Sequence, residues 1–355
     1  MSWNSVHVYY HADRDALILG AVGPLFTRLR RQVPTAYFQR HWRRGPHVRL
    51  HFRTEAPLFD TVVRPAVAEV VGGFLAAHPS TVVLDAQALR PAHDRLAEAE
   101  QDYGTRWPWL ADNSIHEADY DPRLHAVGGQ EAADLLADFY VAANDLAFAM
   151  LDRVAAGGSR LDPCLDLMVA TAHAVPPGGL LRGFVSFRSH AERFLAESGQ
   201  ADRWRAEWDR RYTEFAPSLA RRVAEVVACV DAGSDAVPFV SSWVATLRSV
   251  QDRAATLVAT GAIDLSPPRS DHAPGPLWSP FHQELERSQV YLTEIHDAAW
   301  FLCYRVMLNY LYLHMTRLGV SPAQRSLLCH LAANAAEQHL GVTAIGLVSG
   351  RHGAG

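Results

Sequence analysis

Residues 47–52 alternate strictly. His47, Arg49 and His51 fall on one side of the pattern, and Val48, Leu50 and Phe52 on the other. A period of two marks a strand with two different faces, here an apolar back and a cationic front. Residues 37–42 form a second strand before it. Arg43, Arg44, Gly45 and Pro46 read as the turn between them, because Gly accepts a positive φ and Pro cannot donate to a ladder. If that turn pairs Trp42 with His47, Arg40 falls opposite Arg49. Like charges directly opposite destabilise a sheet. The pair therefore suits a face that holds an anion or polar substrate, or else a solvated face with scattered basic residues.

The flanking pattern extends this hairpin into a layer. Residues 6–10 read as a strand with His7 and Tyr9 on one face. Residues 13–31 carry apolar positions at helical spacing, weakened by Gly20, Gly23 and Pro24. A second helix near 57–78 is interrupted at Pro65, and residues 82–84 read as a last strand. Strand, helix, strand, strand, helix, strand is the ferredoxin-like split βαβ order. Residues 96–128 lose regularity. Trp107 and Trp109 there sit around Gly104 and Pro108, in a segment that either folds over a site or anchors itself to the core.

From Gly129 the period becomes helical. Helices are predicted over 130–156, 165–174, 184–196, 202–232 (with a break at Pro217), 237–261 and 293–318. Residues 264–280 are Pro-rich and read as a linker or lid. Ser321-Pro322 supplies an N-cap and a first-turn proline for a last helix to about 340. Residues 346–355 read as a frayed tail. The fold class is α+β within one domain over 1–355: a sheet-containing part (1–95), an irregular aromatic segment (96–128) and a helical part (129–345).

Composition narrows the function. The chain has 355 residues, 49% of them hydrophobic, and a formal net charge of −5. That charge argues against a broad nucleic-acid surface. The four cysteines stand singly in apolar helical patterns, as reduced buried thiols do in a cytoplasmic protein. No signal-peptide pattern opens the chain, and no apolar run suits a membrane span. Dinucleotide, phosphate-loop, nucleophile-elbow and metal motifs are lacking, so no cofactor or metal is expected. Four polar spots remain: the basic hairpin face; Ser186 to Glu192, where His190 and Ser186 are one turn apart and can meet; Trp278 to Tyr291; and Tyr304, Arg305 and Asn309 within the most apolar helix. A buried Arg305 needs a partner, such as Glu294 or Glu337.

The hairpin, read as Phe38-Gln39-Arg40-His41-Trp42 and Gly45-Pro46-His47-Val48-Arg49-Leu50-His51-Phe52, resembles the signature of the glutamate-elimination domains of lantibiotic dehydratases and their thiopeptide relatives. Tyr120-Asp121-Pro122 with Gly128-Gly129 is similar to a second element of that family. Ser189 to Glu192, Tyr304-Arg305 with Asn309, and Leu318 to Cys329 also fit, so the resemblance covers nearly the whole chain. The departures are specific. Arg123 and Ala126 stand where eliminating members carry Glu and Arg. His51 replaces the second hairpin arginine, and residues 300–303 lack a histidine.

This pattern resembles thiopeptide pyridine synthases instead. The resemblance implies a formal [4+2] aza-cycloaddition between two dehydroalanines of an azole-bearing ribosomal peptide, followed by loss of water and of the leader peptide. It implies His190 and Tyr291 as proton donors or relays, and Gln283 and Ser288 as groups holding the amide that tautomerises. Trp278 and Trp107 would stack on azoles. Arg40, His47, Arg49, Glu284 and Arg287 would contact substrate. The partners implied are the precursor peptide and other biosynthetic enzymes, with no nucleic acid or membrane. Glutamyl elimination, or leader binding without catalysis, are the competing readings.

Overall fold

The computed structural model describes residues 2–263 and 279–350. The chain divides into two compact units. One comprises 1–158 with 317–319, the other 159–316 with 320–355.

The first unit is built on a four-stranded antiparallel sheet of β1 (Ser2–Tyr9), β2 (Ala36–His41), β3 (His47–Thr54) and β4 (Ser114–Ala118), in the order β2-β3-β1-β4. That is the ferredoxin-like order, with β1 and β2 split by the antiparallel β3. Two elements differ from the expected path. Residues 82–84 form no strand, and Val83 is 94% exposed, so it has no sheet to complete. The fourth strand lies instead within the segment read as irregular. Its alternation is short, and both ends run into loop.

Val6, Val8, Phe38, Val48, Leu50 and Phe52 form a buried apolar face. Leu17, Ile18, Val22 and Leu25 of helix α1 (14–29) are equally buried, as are Val63, Val67 and Val71 of α2 (56–77). Both helices contain one wide π turn, Ile18–Val22 and Phe59–Val63. These turns let Gly20, Pro24 and Pro65 be accommodated without ending the helix. A helix missed by periodicity, α3 (Ala86–Ala99), is N-capped by Asp85, which accepts from the Gln87 and Ala88 amides. Helices α4 (Gln130–Ala142) and α5 (Asn144–Ala155) complete the unit where one continuous helix was expected. Arg317 joins them. Its guanidinium lies 4.3 Å from the Phe38 ring centroid, donates to the Tyr140 carbonyl at 3.1 Å and bonds Asn144 at 2.5 Å.

The second unit is helical: α6 (Leu161–Ala174), α7 (Val185–Glu197), α8 (Ala201–Ala232), α9 (Val240–Ala259), α10 (Pro280–Arg287), α11 (Ala299–Arg317, less its last residue) and α12 (Pro322–Leu340). Helix α8 runs through Pro217 unbroken. Ser321 and Gln324 form a full capping box at the start of α12, as its Ser-Pro start foretold. A short helix, Ala344–Val348, occupies part of the expected tail. The core holds Phe184, Phe187, Trp208, Trp243, Tyr304 and Met307. Gly183 is needed there because a Cβ would land on the backbone of Ala172 in α6.

Gly183→Ala should therefore destabilise the protein by about 1–3 kcal/mol through overpacking against backbone. Gly72→Ala, on α2 with open space around it, should be neutral or stabilising by up to about 1 kcal/mol. Urea denaturation of the two variants beside the parent checks the contrast.

Candidate functional site

In the first unit the turn sets the register. Gly45 N–H donates to the Trp42 carbonyl at 3.1 Å, with Arg44 and Gly45 at positive φ. His41 then pairs with His47, Gln39 with Arg49 and Tyr37 with His51. The expected pairing of Trp42 with His47 is thus off by one residue. Because side-chain direction flips with each residue, Arg40 lies opposite Val48, on the other face from Arg49. Its guanidinium ion-pairs with Asp15 and donates to the Arg317 carbonyl at 2.7 Å. Arg40 is structural, and the repulsive Arg40–Arg49 pair does not exist.

The face that carries Arg49 is polar but buried. Ser5, His7 and Tyr9 of β1 join His47, Arg49 and His51 of β3, with Gln39 and His41 on one side and Ser114 and His116 on the other. Arg49 is 3% exposed. Among the described residues no carboxylate comes within ion-pair distance of it, and its Nε donates to His47 Nε2 at 3.1 Å. His47 Nδ1 bonds the Gly45 carbonyl at 2.8 Å, which fixes its proton on Nδ1 and leaves Nε2 to accept. Burial first, then the Arg49 charge, push His41, His47 and His51 well below the usual imidazole pKa, and His7 down to about 3. Arg49 itself is lowered to about 10, chiefly by burial. A cavity of about 340 Å³ opens on this face, lined by His7, Tyr9, Arg43, Arg44, Arg49 and His116 among others. Arg43 pairs with Asp102 at 3.0 Å, and Glu117 at the rim is held by Arg64. The cavity is therefore net cationic.

Trp107 also belongs to this unit, with its ring parallel to Trp109 at 5.8 Å and the Arg90 guanidinium 5.5 Å away. Those neighbours anchor the aromatic segment.

In the second unit, His190 of α7 does not meet Ser186. Its Nδ1 lies 2.6 Å from Tyr312 Oη of α11, while Tyr304 Oη donates to the Gly183 carbonyl at 2.8 Å. Part of the His190 residue still reaches solvent, yet burial of its ring, reinforced by Arg325, Arg305 and Arg193, holds its pKa down to about 3. Tyr291 opens the π turn Tyr291–Ile295. Its phenol is pushed up by burial, a shift opposed by Arg305. Arg305 is thus the cation within electrostatic reach of both His190 and Tyr291. It has neither expected carboxylate: Glu337 pairs with Arg188 at 2.8 Å, and among the described residues Arg305 has no ion pair.

Ser288 is buried, and its Oγ accepts from the Tyr291 amide at 3.1 Å, so it fixes the turn that presents the phenol. Gln283 and Arg287 are exposed on α10 and Glu284 is half-buried. His282, between Ser189 at 3.0 Å and Ser279 at 2.8 Å, was not anticipated. Trp278 and the rest of the Pro-rich stretch before residue 279 lie outside the described residues. Sequence reading also missed Tyr312, the neutral histidines at 7 and 41, and His116 in the lining of the cavity. The alternation of His7 with Tyr9 and of Ser114 with His116 was the available signal for the sheet face.

Comparison with known proteins adds three findings. The family described as Lantibiotic biosynthesis dehydratase C-term matches residues 3–336. The solved structure "Pyridine synthase, TbtD, from thiomuracin biosynthesis" is 37% identical, covers 96% of this chain and 99% of its own, and superposes with a TM-score of 0.80. TsrL is similar in fold, with a TM-score of 0.72 and 21% identity over 100% of this chain and 99% of its own. A search of curated proteins returns no match.

The neutral imidazoles around Arg49 carry a pH prediction. An unfolded chain takes up protons on them near pH 6.5, whereas the folded sheet does not. Stability should therefore fall as pH drops below about 6.5, by up to about 1.4 kcal/mol per pH unit per imidazole. Arg49→Met should flatten this slope by letting the histidine pKa values rise, and Arg49→Lys should keep it. Calorimetry from pH 7.5 to 5 checks both. An unchanged Tm across that range in the parent would mean that the histidines are not held neutral.

Proposed function

Because this chain belongs to the lantibiotic biosynthesis dehydratase C-terminal family, we propose that it acts as a thiopeptide pyridine synthase. The observation that carries this reading is the similarity to the thiomuracin enzyme over nearly all of both chains. The geometry of the second unit supports it: His190, Tyr291 and Arg305 gather proton-bearing groups without a strong nucleophile.

The substrate is a ribosomal peptide bearing azoles and two dehydroalanines. One dehydroalanine, with its neighbouring amide as the iminol tautomer, is the 2-azadiene. The other is the dienophile. Two new bonds close a six-membered ring and with it the macrocycle. Loss of water and of the leader peptide then gives the aromatic pyridine. Holding the two alkenes as a near-attack pair contributes on the order of 7–11 kcal/mol. Tautomerisation and elimination need proton transfer, which positioned donors accelerate by about 10²–10⁴-fold.

His190 stays neutral across the working pH range and offers hydrogen bonding without acid strength. Tyr291 keeps its proton and supplies the donor. Arg305 stabilises the oxygen on which charge develops. Ser288 holds the Tyr291 turn, while Gln283, Glu284 and Arg287 present polar contacts from α10. In the first unit, Arg49, held at its Nε by His47, offers its remaining donors to substrate carbonyls from the cationic cavity, and Trp107 carries a flat apolar surface.

That same cavity favours one competing reading, removal of glutamate from a glutamylated peptide. Incubation of the pure protein with a bis-dehydroalanine azole peptide separates the two. Mass spectrometry should show a macrocycle and a released leader. Loss of glutamate from a glutamylated peptide, with no macrocycle, would overturn the proposal. His190→Ala and Tyr291→Phe should each slow ring formation by about 10²-fold with leader affinity retained by fluorescence titration.

A further inference from the structure

Behind His190 runs a short hydrogen-bonded chain contributed by three helices. His190 Nδ1 on α7 is 2.6 Å from Tyr312 Oη on α11, and Tyr312 Oη is 3.4 Å from Cys329 Sγ on α12. Tyr312 is 9% exposed and Cys329 1%, so water does not compete for the chain. The Arg325 guanidinium lies 4.8 Å from the Tyr312 ring centroid and helps hold that ring in place. His190 Nε2, by contrast, has no hydrogen-bond partner among the described residues.

The proton count leaves two arrangements. The single Tyr312 hydroxyl proton points either to nitrogen or to sulfur. If it points to sulfur, His190 must carry its proton on Nδ1 and donate to the phenol. If it points to nitrogen, the thiol donates to the phenol oxygen and the imidazole proton sits on Nε2. Sulfur is a weak acceptor and a neutral imidazole nitrogen a good one. The short contact is the one to nitrogen and the long one is to sulfur. A thiol kept protonated by burial, with its pKa raised to about 11, has a proton left to give.

From this chain we infer that Tyr312 is a positioning residue that fixes His190 as the Nε2–H tautomer, with Cys329 too weak an acceptor to draw the phenol proton away, so that the free ring nitrogen is a permanent donor. The inference deepens the reading of His190 as a site residue. The substrate group it fits is an amide or iminol oxygen, which accepts such a proton; a group needing a base at that nitrogen is excluded. Arginines 193, 305 and 325 surround the ring and oppose a second proton. His282, itself lowered by burial, is engaged with Ser189 and Ser279.

The test reads the tautomer directly. In the full-length protein labelled with ¹⁵N-histidine, two-bond proton–nitrogen spectra, with His190 assigned by its loss in His190→Gln, should show the proton on Nε2. Tyr312→Phe should transfer a large share of it to Nδ1. Cys329→Ala should leave it on Nε2, because sulfur's part is to be a poor competitor. Cys329→Ser, which offers the phenol a better acceptor, should mix the two forms. An Nδ1–H signal in the parent, or unaltered Nε2–H in both Tyr312→Phe and Cys329→Ser, overturns the inference. If a variant fails to fold, the parent spectrum alone still decides. Turnover is a separate arm. Tyr312→Phe should lower kcat by about 10²-fold with little change in KM. A parent that forms no macrocycle would instead refute the functional reading and leave the tautomer result standing.

Discussion

A buried guanidinium without a carboxylate constrains the first unit more than any other group. Arg49 is almost wholly out of water, in the middle of a sheet, where an unpaired charge is costly. The fold answers with neutral acceptors and stacked rings. His47 accepts from Arg49 because its other nitrogen is committed to the Gly45 carbonyl, so the hairpin turn and the charge are parts of one arrangement. His47 in turn stacks with His7 at 4.9 Å and Tyr9 at 4.5 Å. His51 is held by Ser5 at 2.6 Å. None of these rings can take a second proton beside Arg49 without adding charge to a dry place. The sheet face is thus polar in chemistry but nearly as buried as the apolar one behind it.

The second unit repeats the physics with different parts. His190 is kept neutral by burial and by arginines 325, 305 and 193. Elsewhere in the unit, carboxylates are matched to guanidiniums: Glu192 with Arg205, Asp166 with Arg222 and Glu337 with Arg188. Those pairs join α7 to α8, α6 to α8 and α7 to α12, and they tie down the helices that carry the site. Arg305 stands apart because no such partner reaches it among the described residues. Under the proposed function, such a cation near a neutral imidazole and a protonated phenol would meet charge that a substrate brings or develops.

Much of this architecture was legible because the local signals were strong. The two-faced strand at 47–54, the Ser-Pro start of α12 and the ferredoxin-like order all rest on patterns of period two, capping chemistry or turn residues. The register was harder. A one-residue change in where the turn closes reverses every side chain, and Arg40 moved from partner of Arg49 to partner of Asp15 for that reason alone. Strand β4 was hidden because its pairing is with β1, more than a hundred residues earlier, and five residues carry little periodicity. At the site, His190 could be singled out as a polar residue in an apolar helix. Tyr312 and Cys329 could not, since a tyrosine and a cysteine among apolar residues read as core until tertiary packing brings three helices together.

Neutral histidines beside arginines suit ring closure better than elimination would require. Glutamyl elimination gains from a strong acid delivering a full proton to the leaving carboxylate, and an imidazole with pKa about 3 is unprotonated at any physiological pH; in the proposed reading the proton for loss of water comes from Tyr291. A cycloaddition gains most from holding two reactants in contact and from small shifts of polarity at an amide. For that purpose a fixed donor with little tendency to ionise is an advantage. It aligns an oxygen without extracting a counter-charge from its surroundings, and it needs no reorganisation as the ring forms. Burial and arginines 325, 305 and 193 keep the imidazole neutral; under the proposed function Arg305, which has no ion pair among the described residues, would also serve substrate, so stability and chemistry would share a charge.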